Sequence, residues 1–280
     1  MKTALPLLLI TALAGSAFAG PVRDHRVVAE LIPEMDAIVP GKKITICLNI
    51  KHDPKWHTYW KNPGIAGVPT KLDWDLPEGF KAGPIQWARP QVVKMAIYNT
   101  YGFEGEVTLL VDIETPSDLK PGTEVELKTK TTWMMCAETC HPSSAKLSVK
   151  VPVAASAKPH EVGSKLAAAT RSTMPVANKE WKATARLRKK SATITLTSLA
   201  DDPPNIAPED LYFFSDDGVI DSHPEQVITR KRPGVYKMVL QRAEFGPKNP
   251  SAITGVLLNK SGDQSKALFI RAELKPKSEG

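Results

Sequence analysis

Two stretches in the middle of the chain alternate polar and apolar residues: Glu124-Val125-Glu126-Leu127-Lys128-Thr129-Lys130 and Ala145-Lys146-Leu147-Ser148-Val149-Lys150-Val151. A period of two marks a strand with one buried face. Lys43-Ile44-Thr45-Ile46-Cys47-Leu48-Asn49-Ile50 repeats it, with four apolar residues on one face and Cys47 on the other. Further strands are predicted over 70–75 and 107–113, and the strand from 124 extends to Trp133, with turns at Pro77-Glu78-Gly79 and Pro121-Gly122 between them. Many short strands at this spacing predict a β-sandwich. Later, Val162, Leu166 and Ala169 recur at helical spacing and predict a helix over 161–173, stopped by Met174-Pro175. Strands over 181–187 and 192–199 bracket Arg188-Lys189-Lys190 as a hairpin tip, and 211–214, 227–230, 235–241, 254–259 and 267–274 continue the pattern. The expected fold class is all-β: two β-sandwich domains in tandem, with a short helix near the start of the second.

Composition divides the chain at the same place. The small-residue run Ala154-Ala155-Ser156-Ala157-Lys158-Pro159 is the expected break, giving domains over 20–155 and 156–280. All three cysteines and five of the six tryptophans precede it. Residues 20–155 carry 16 basic and 16 acidic side chains, residues 156–280 carry 20 and 14, so the excess of positive charge belongs to the second half. Its basic residues are scattered without an aromatic platform, which argues for a solvated surface and against nucleic-acid binding. Residues 1–19 read as a secretory signal: Lys2, an apolar core over 5–14, and Ala17-Phe18-Ala19 before cleavage at Gly20. No other stretch approaches the length of a membrane span. A soluble, exported mature protein, periplasmic or secreted, is therefore expected, in a compartment where disulfides persist.

The reactive groups concentrate in Thr131-Thr132-Trp133-Met134-Met135-Cys136-Ala137-Glu138-Thr139-Cys140-His141-Pro142. With strands on both sides, Cys136 and Cys140 should flank a short turn between antiparallel neighbours, at a separation that suits a disulfide. The ring so closed is only about five residues, for which chain entropy offers roughly 2 kcal/mol. Either the pair is a hairpin clamp in an exported β-protein, or it is redox-active. Trp133, Glu138 and His141 are its nearest neighbours in sequence, and His141, if protonated, would favour a thiolate at Cys140. A rival chemistry is Cu(I) binding, as in copper tolerance, by Cys136, Cys140, His141 and Met134, although alternation sends Met135 to the opposite face. Cys47 is either a buried small residue or a spare thiol. Trp56-His57-Thr58-Tyr59-Trp60-Lys61-Asn62-Pro63-Gly64 is an aromatic segment ending in a turn, and Tyr98-Asn99-Thr100-Tyr101-Gly102-Phe103 a second aromatic loop. Each is either core packing or a wall beside the dithiol, with His57, Tyr59, Tyr98 and Tyr101 as the candidate lining.

The same segments resemble the periplasmic N-terminal domain of the DsbD/ScsB family of thiol–disulfide interchange proteins. The resemblance rests on 56–64 with Gly67-Val68-Pro69-Thr70, on Leu76-Pro77-Glu78-Gly79-Phe80, on Tyr101-Gly102-Phe103-Glu104-Gly105-Glu106-Val107, and on Trp133, Cys136, Cys140 and Pro142. It covers nearly all of 40–152; the second half is similar to the extra β-domain of ScsB-type members. It implies an immunoglobulin-like sandwich, with Cys136 and Cys140 as the reactive pair and no cofactor. A membrane reductase reduces such a pair, which in turn reduces thioredoxin-fold partners in the periplasm. It also implies an aromatic cap over the pair, a place for Tyr98 or Tyr101. The chain departs from the pattern in lacking the membrane and thioredoxin domains, so it is expected to act as an oxidoreductase-type relay between separate proteins. It departs also in carrying His141 where an apolar or tyrosyl residue is usual.

Overall fold

The computed structural model describes residues 20–260 and 267–275; the expected signal segment lies outside them. Eleven strands precede the helix: β1 (Val22–Asp24), β2 (Val27–Pro33), β3 (Ile44–His52), β4 (His57–Gly64), β5 (Lys71–Asp75), β6 (Lys81–Gln86), β7 (Gln91–Met95), β8 (Tyr98–Glu104), β9 (Glu106–Glu114), β10 (Glu124–Cys136) and β11 (Cys140–Pro152). They form two sheets, β1-β2-β3-β9-β6 and β11-β10-β4-β8-β7, with β5 also on β10. The alternating stretches behave as their period requires: Ile44, Ile46, Leu48 and Ile50 meet Leu127, Leu147, Val149 and Val151 in one core between the sheets. This is the all-β, immunoglobulin-like sandwich expected.

Helix α1 (Gly163–Thr173) follows β11. It precedes the remaining strands in sequence but packs on the outer face of the first sandwich, where Ala167 meets Ile32, Cys47 and Leu110. Its buried face is Gly163, Ala167 and Thr170; of the Val162–Leu166–Ala169 stripe expected from spacing, Leu166 packs there in part while Val162 and Ala169 are exposed. Small residues win because the helix lies so close to β2: a Cβ on Gly163 would sit 2.0 Å from the Pro33 carbonyl oxygen. Arg171 clamps the last turn, donating to Glu34 Oε2 at 2.8 Å. The segment ahead of α1 is tied down as well, with Asp36 N–H donating to Lys158 O and His160 N–H to Glu34 O, each at 2.9 Å.

The second half supplies β12 (Val176–Ala177), β13 (Trp181–Leu187), β14 (Ser191–Ser198), β15 (Leu211–Ser215), β16 (Val227–Arg232), β17 (Val235–Gln241), β18 (Ala252–Asn259) and β19 (Ala267–Leu274). They form one continuous eight-stranded sheet around a single core of Trp181, Ile194, Phe213, Tyr236, Met238 and Ile270, among others. The two halves meet through aromatic rings: Phe214 of β15 lies 5.0 Å from Tyr101 and 6.5 Å from Trp60, centroid to centroid. Beside them, the Lys61 ammonium reaches Asp216 at 2.7 Å. No helix among the described residues is long and apolar enough to cross a membrane.

Candidate redox site

β10 and β11 run antiparallel in unbroken register from Glu124 opposite Pro152 to Cys136 opposite Cys140. The register brings the last pair to a Cα separation of 4.2 Å, and a disulfide joins them. Ala137, Glu138 and Thr139 turn the chain between the two. The two cysteines differ in exposure, since Cys136 is 0% exposed whereas Cys140 lies on the surface. On its other edge the end of β10 pairs with β4, Cys136 opposite His57. The cysteine end of β10 is thus inserted between β11 and β4, which buries one cysteine and leaves the other at the rim.

β4 is the segment whose sequence reads as aromatic and turn-like. Alternation along it sends His57 and Tyr59 to the disulfide side and Trp60 into the inter-sheet core. The Tyr59 hydroxyl lies 3.9 Å from Cys140 Sγ, within reach of a sulfur hydrogen bond. Burial pushes that hydroxyl up to about 12, so it stays a donor at neutral pH. The following loop packs closely against its ring. Gly67 adopts φ +108°, and a Cβ there would meet the Tyr59 ring at 2.3 Å, so only glycine permits this approach. His57 touches Tyr59 edge-on, ring centroids 5.1 Å apart. Burial, reinforced by nearby His52, pulls its imidazole down to about 4, and both ring nitrogens lack a partner.

The remaining candidates separate. His141 follows Cys140 in a strand, so its side chain leaves the opposite face. There Thr139 Oγ1 lies 3.1 Å from its Nε2, and its ring meets Trp56 at 5.6 Å and His25 at 6.3 Å. The donor beside Cys140 Sγ is therefore Tyr59, from a distant strand, and not the adjacent histidine. Trp133 is buried in the inter-sheet core, and Glu138 is exposed on the turn. Met135 is buried in that same core, so the two methionines do not converge. Among the described residues no three His, Cys, Asp or Glu side chains cluster as metal ligands do.

The expected aromatic loop over 98–103 is instead strand β8. It escapes detection because it is buried on both faces at Thr100–Phe103, which erases the alternation. Tyr101 is enclosed between Trp60, Tyr212 and Phe214, away from the sulfurs. Tyr98 turns its ring onto His223, centroids 5.1 Å apart. The β7–β8 hairpin tip is the part that reaches the cysteine turn: Ala96, at φ +53°, points its N–H at Ala137 O, 3.4 Å away. Ile97 beside it is 75% exposed. Next to that tip, β8 is held by the second half, through Ser222 Oγ donating to Asn99 O at 2.8 Å and Asn99 Nδ2 donating to His223 O at 3.1 Å. On the other side of β10 a groove of about 540 Å³ runs past Asp24, His25, Val68, Pro69, Met134 and Pro142.

Comparison with known proteins bears on this site directly. The family model described as "Thiol:disulfide interchange protein DsbD, N-terminal" matches residues 28–152, which include both cysteines, β4 and the β7–β8 hairpin. The crystal structure of the N-terminal periplasmic domain of ScsB from Proteus mirabilis superposes with a TM-score of 0.68 at 16% identity, covering 93% of this chain and 99% of that one. That likeness establishes the fold across both halves. A protein of unknown function from Porphyromonas gingivalis W83 aligns at a TM-score of 0.24 and 11% identity, covering 89% and 100% of the two chains, too weakly to carry an argument. No curated protein matches the chain.

Proposed function

Because residues 28–152 match the family model of the DsbD N-terminal domain of thiol:disulfide interchange proteins, we propose that the chain is an exported, periplasmic relay of electrons through Cys136 and Cys140. A membrane thiol–disulfide reductase reduces the bridge, and the dithiol then reduces oxidised thioredoxin-fold proteins. The observation that carries this reading is the asymmetry of the pair, one cysteine at the surface and one buried. Exchange proceeds by attack of a thiolate on a disulfide sulfur through a mixed disulfide. Only Cys140 Sγ is open to such attack. The incoming thiolate bonds to Cys140, the S–S bond breaks, and its electron pair departs on Cys136. A second thiol of the reductant then attacks the mixed bond and frees Cys140. In the forward half, Cys140 attacks the oxidised partner and Cys136 resolves the mixed disulfide. Tyr59 keeps a donor at Cys140 throughout.

The deciding experiment is redox titration of the Cys136–Cys140 pair against glutathione or dithiothreitol. A relay requires a potential in the range spanned by disulfide isomerase and thioredoxin, about −180 to −270 mV. A potential below about −300 mV, as for permanent bridges in secreted proteins, would make the pair a clamp and end the relay reading. Cys136→Ala should trap mixed disulfides at Cys140 in the exported fraction.

A further inference from the structure

His57 is fully buried, yet neither ring nitrogen has a hydrogen-bond partner. Its position makes that absence informative. As the strand partner of Cys136, it leaves the sheet beside that residue on the same face, with Cβ atoms about 5 Å apart. Two residues along, Tyr59 leaves the same face and reaches Cys140 Sγ at 3.9 Å. The two side chains thus divide the bridge between them, Tyr59 at the exposed sulfur and His57 behind the buried one. A neutral imidazole carries one N–H. Against a closed bridge that N–H finds only a weak acceptor, whereas a thiolate is a strong one. The other titratable groups around the ring are His52 at the end of β3, Glu104 opposite it on β8, and Tyr59 on its own strand.

Building on the proposed attack at Cys140, we propose that His57 receives the leaving group: its ring N–H donates a hydrogen bond to Cys136 Sγ as that sulfur departs. The atoms balance simply. The partner thiolate and Cys140 Sγ form one S–S bond, the Cys136–Cys140 bond breaks, and the negative charge passes to Cys136, which water later protonates. His57 gives up no proton; it stabilises a charge that would otherwise form in a dry place. The same contact lowers the pKa of the Cys136 thiol in the reduced protein, which eases the return reaction.

Two measurements test this. In a Cys140→Ala chain, the Cys136 thiol is titrated by the ultraviolet absorbance of its thiolate, with and without His57→Phe. We expect His57→Phe to move that titration to higher pH and, with both cysteines present, to slow reduction by dithiothreitol roughly tenfold to a hundredfold, the worth of one hydrogen bond to a charged group. His57→Gln, which keeps an N–H, should fall between. Unchanged titration and unchanged rate in a folded His57→Phe chain would reduce His57 to packing. Should that variant not fold, wild-type protein labelled with ¹⁵N-histidine decides the matter. One ring N–H resonance must shift on reduction, and an unshifted spectrum overturns the proposal. A wild-type bridge too stable to exchange would sink the relay instead, while the Cys136 titration would still judge His57.

Discussion

Tyr59 and His57 are both withdrawn from water beside a disulfide, and burial acts on them in opposite senses. For the tyrosine it raises the hydroxyl to about 12 and preserves a donor; for the histidine it lowers the imidazole to about 4 and preserves the neutral ring. Replacing Tyr59 by Phe removes the group 3.9 Å from Cys140 Sγ. The Cys140 thiolate should then be less stable by about 1.5–3 kcal/mol, the worth of a hydrogen bond to a charged group. Its titration should move up by about one to two pH units, which thiol alkylation rates against pH would measure. His57 makes a separate prediction about stability. Its folded pKa is depressed, so between about 4 and the ordinary 6.5 the unfolded chain binds the extra proton. Its contribution is complete above the upper value and is lost as pH falls toward the lower one, amounting to roughly 3 kcal/mol at most. His52 is shifted in the same direction and adds to the slope. Denaturation midpoints should therefore fall between pH 6.5 and 4 and fall less in His57→Gln, as urea titrations at several pH values would show.

Among the elements, α1 shows how local preference and tertiary fit can oppose each other. Alanine at position 163 would favour an isolated helix by about 1 kcal/mol over glycine. Here its Cβ would meet the Pro33 carbonyl at 2.0 Å, and a paired strand backbone cannot yield that far. Gly163→Ala should destabilise the protein by about 1–3 kcal/mol despite the gain in propensity, and guanidinium denaturation should give that sign. The same opposition explains which elements are legible in sequence. β10 and β11 bury one strong face against the opposing sheet, and β3, although buried on its other face too, carries only Thr45, Cys47 and Asn49 there, so alternation announces all three and with them the cysteine pair at the end of the β10–β11 hairpin. β4 and β8 are covered on both faces, Tyr59 under the Gly67 loop and Trp60 and Tyr101 under Phe214, so their alternation vanishes and they read as loops. The period of the helix reveals its existence but not its buried face, because close approach to β2 favours small residues over the apolar ones that periodicity detects. His57 and Tyr59 are recognisable as polar aromatic residues near a dithiol. The contact of Ala96 with Ala137 and the hold of Ser222 and His223 on Asn99 have no sequence signal, since they join segments far apart in the chain through backbone groups.

At the scale of the whole molecule the two halves share more than a linker. The hairpin that touches the cysteine turn at Ala137 is anchored at Asn99 by Ser222 and His223, so the second half is joined to that turn through the hairpin. Ser222→Ala removes the hydroxyl that bonds both Asn99 O and Ile65 N–H. It should loosen the hairpin and speed alkylation of Cys140 in reduced protein severalfold, whereas an unchanged rate would show that the hairpin holds without it. The joint also bears on where the chain can be cut. The composition break near Ala155 precedes α1, yet α1 covers Ile32, Cys47 and Leu110 on the first sandwich. Cys47 reports on that cover: its thiol donates to Gly163 O at 3.6 Å, and burial raises it to about 12. In the full chain, with Cys136 and Cys140 oxidised, a thiol reagent in native buffer should leave Cys47 unmodified, since reaction needs an exposed thiolate. A fragment ending at 155 should have Cys47 modified rapidly even if its sandwich folds, because an apolar strip of β2, β3 and β9 then faces water. A fragment ending at 177 retains the helix and its Arg171–Glu34 clamp, so protection should return. It would still expose the Trp60 and Tyr101 rings that Phe214 covers, and its midpoint in urea should lie below that of the full chain. Equal protection of Cys47 in both fragments would mean that the sandwich shields this cysteine without α1.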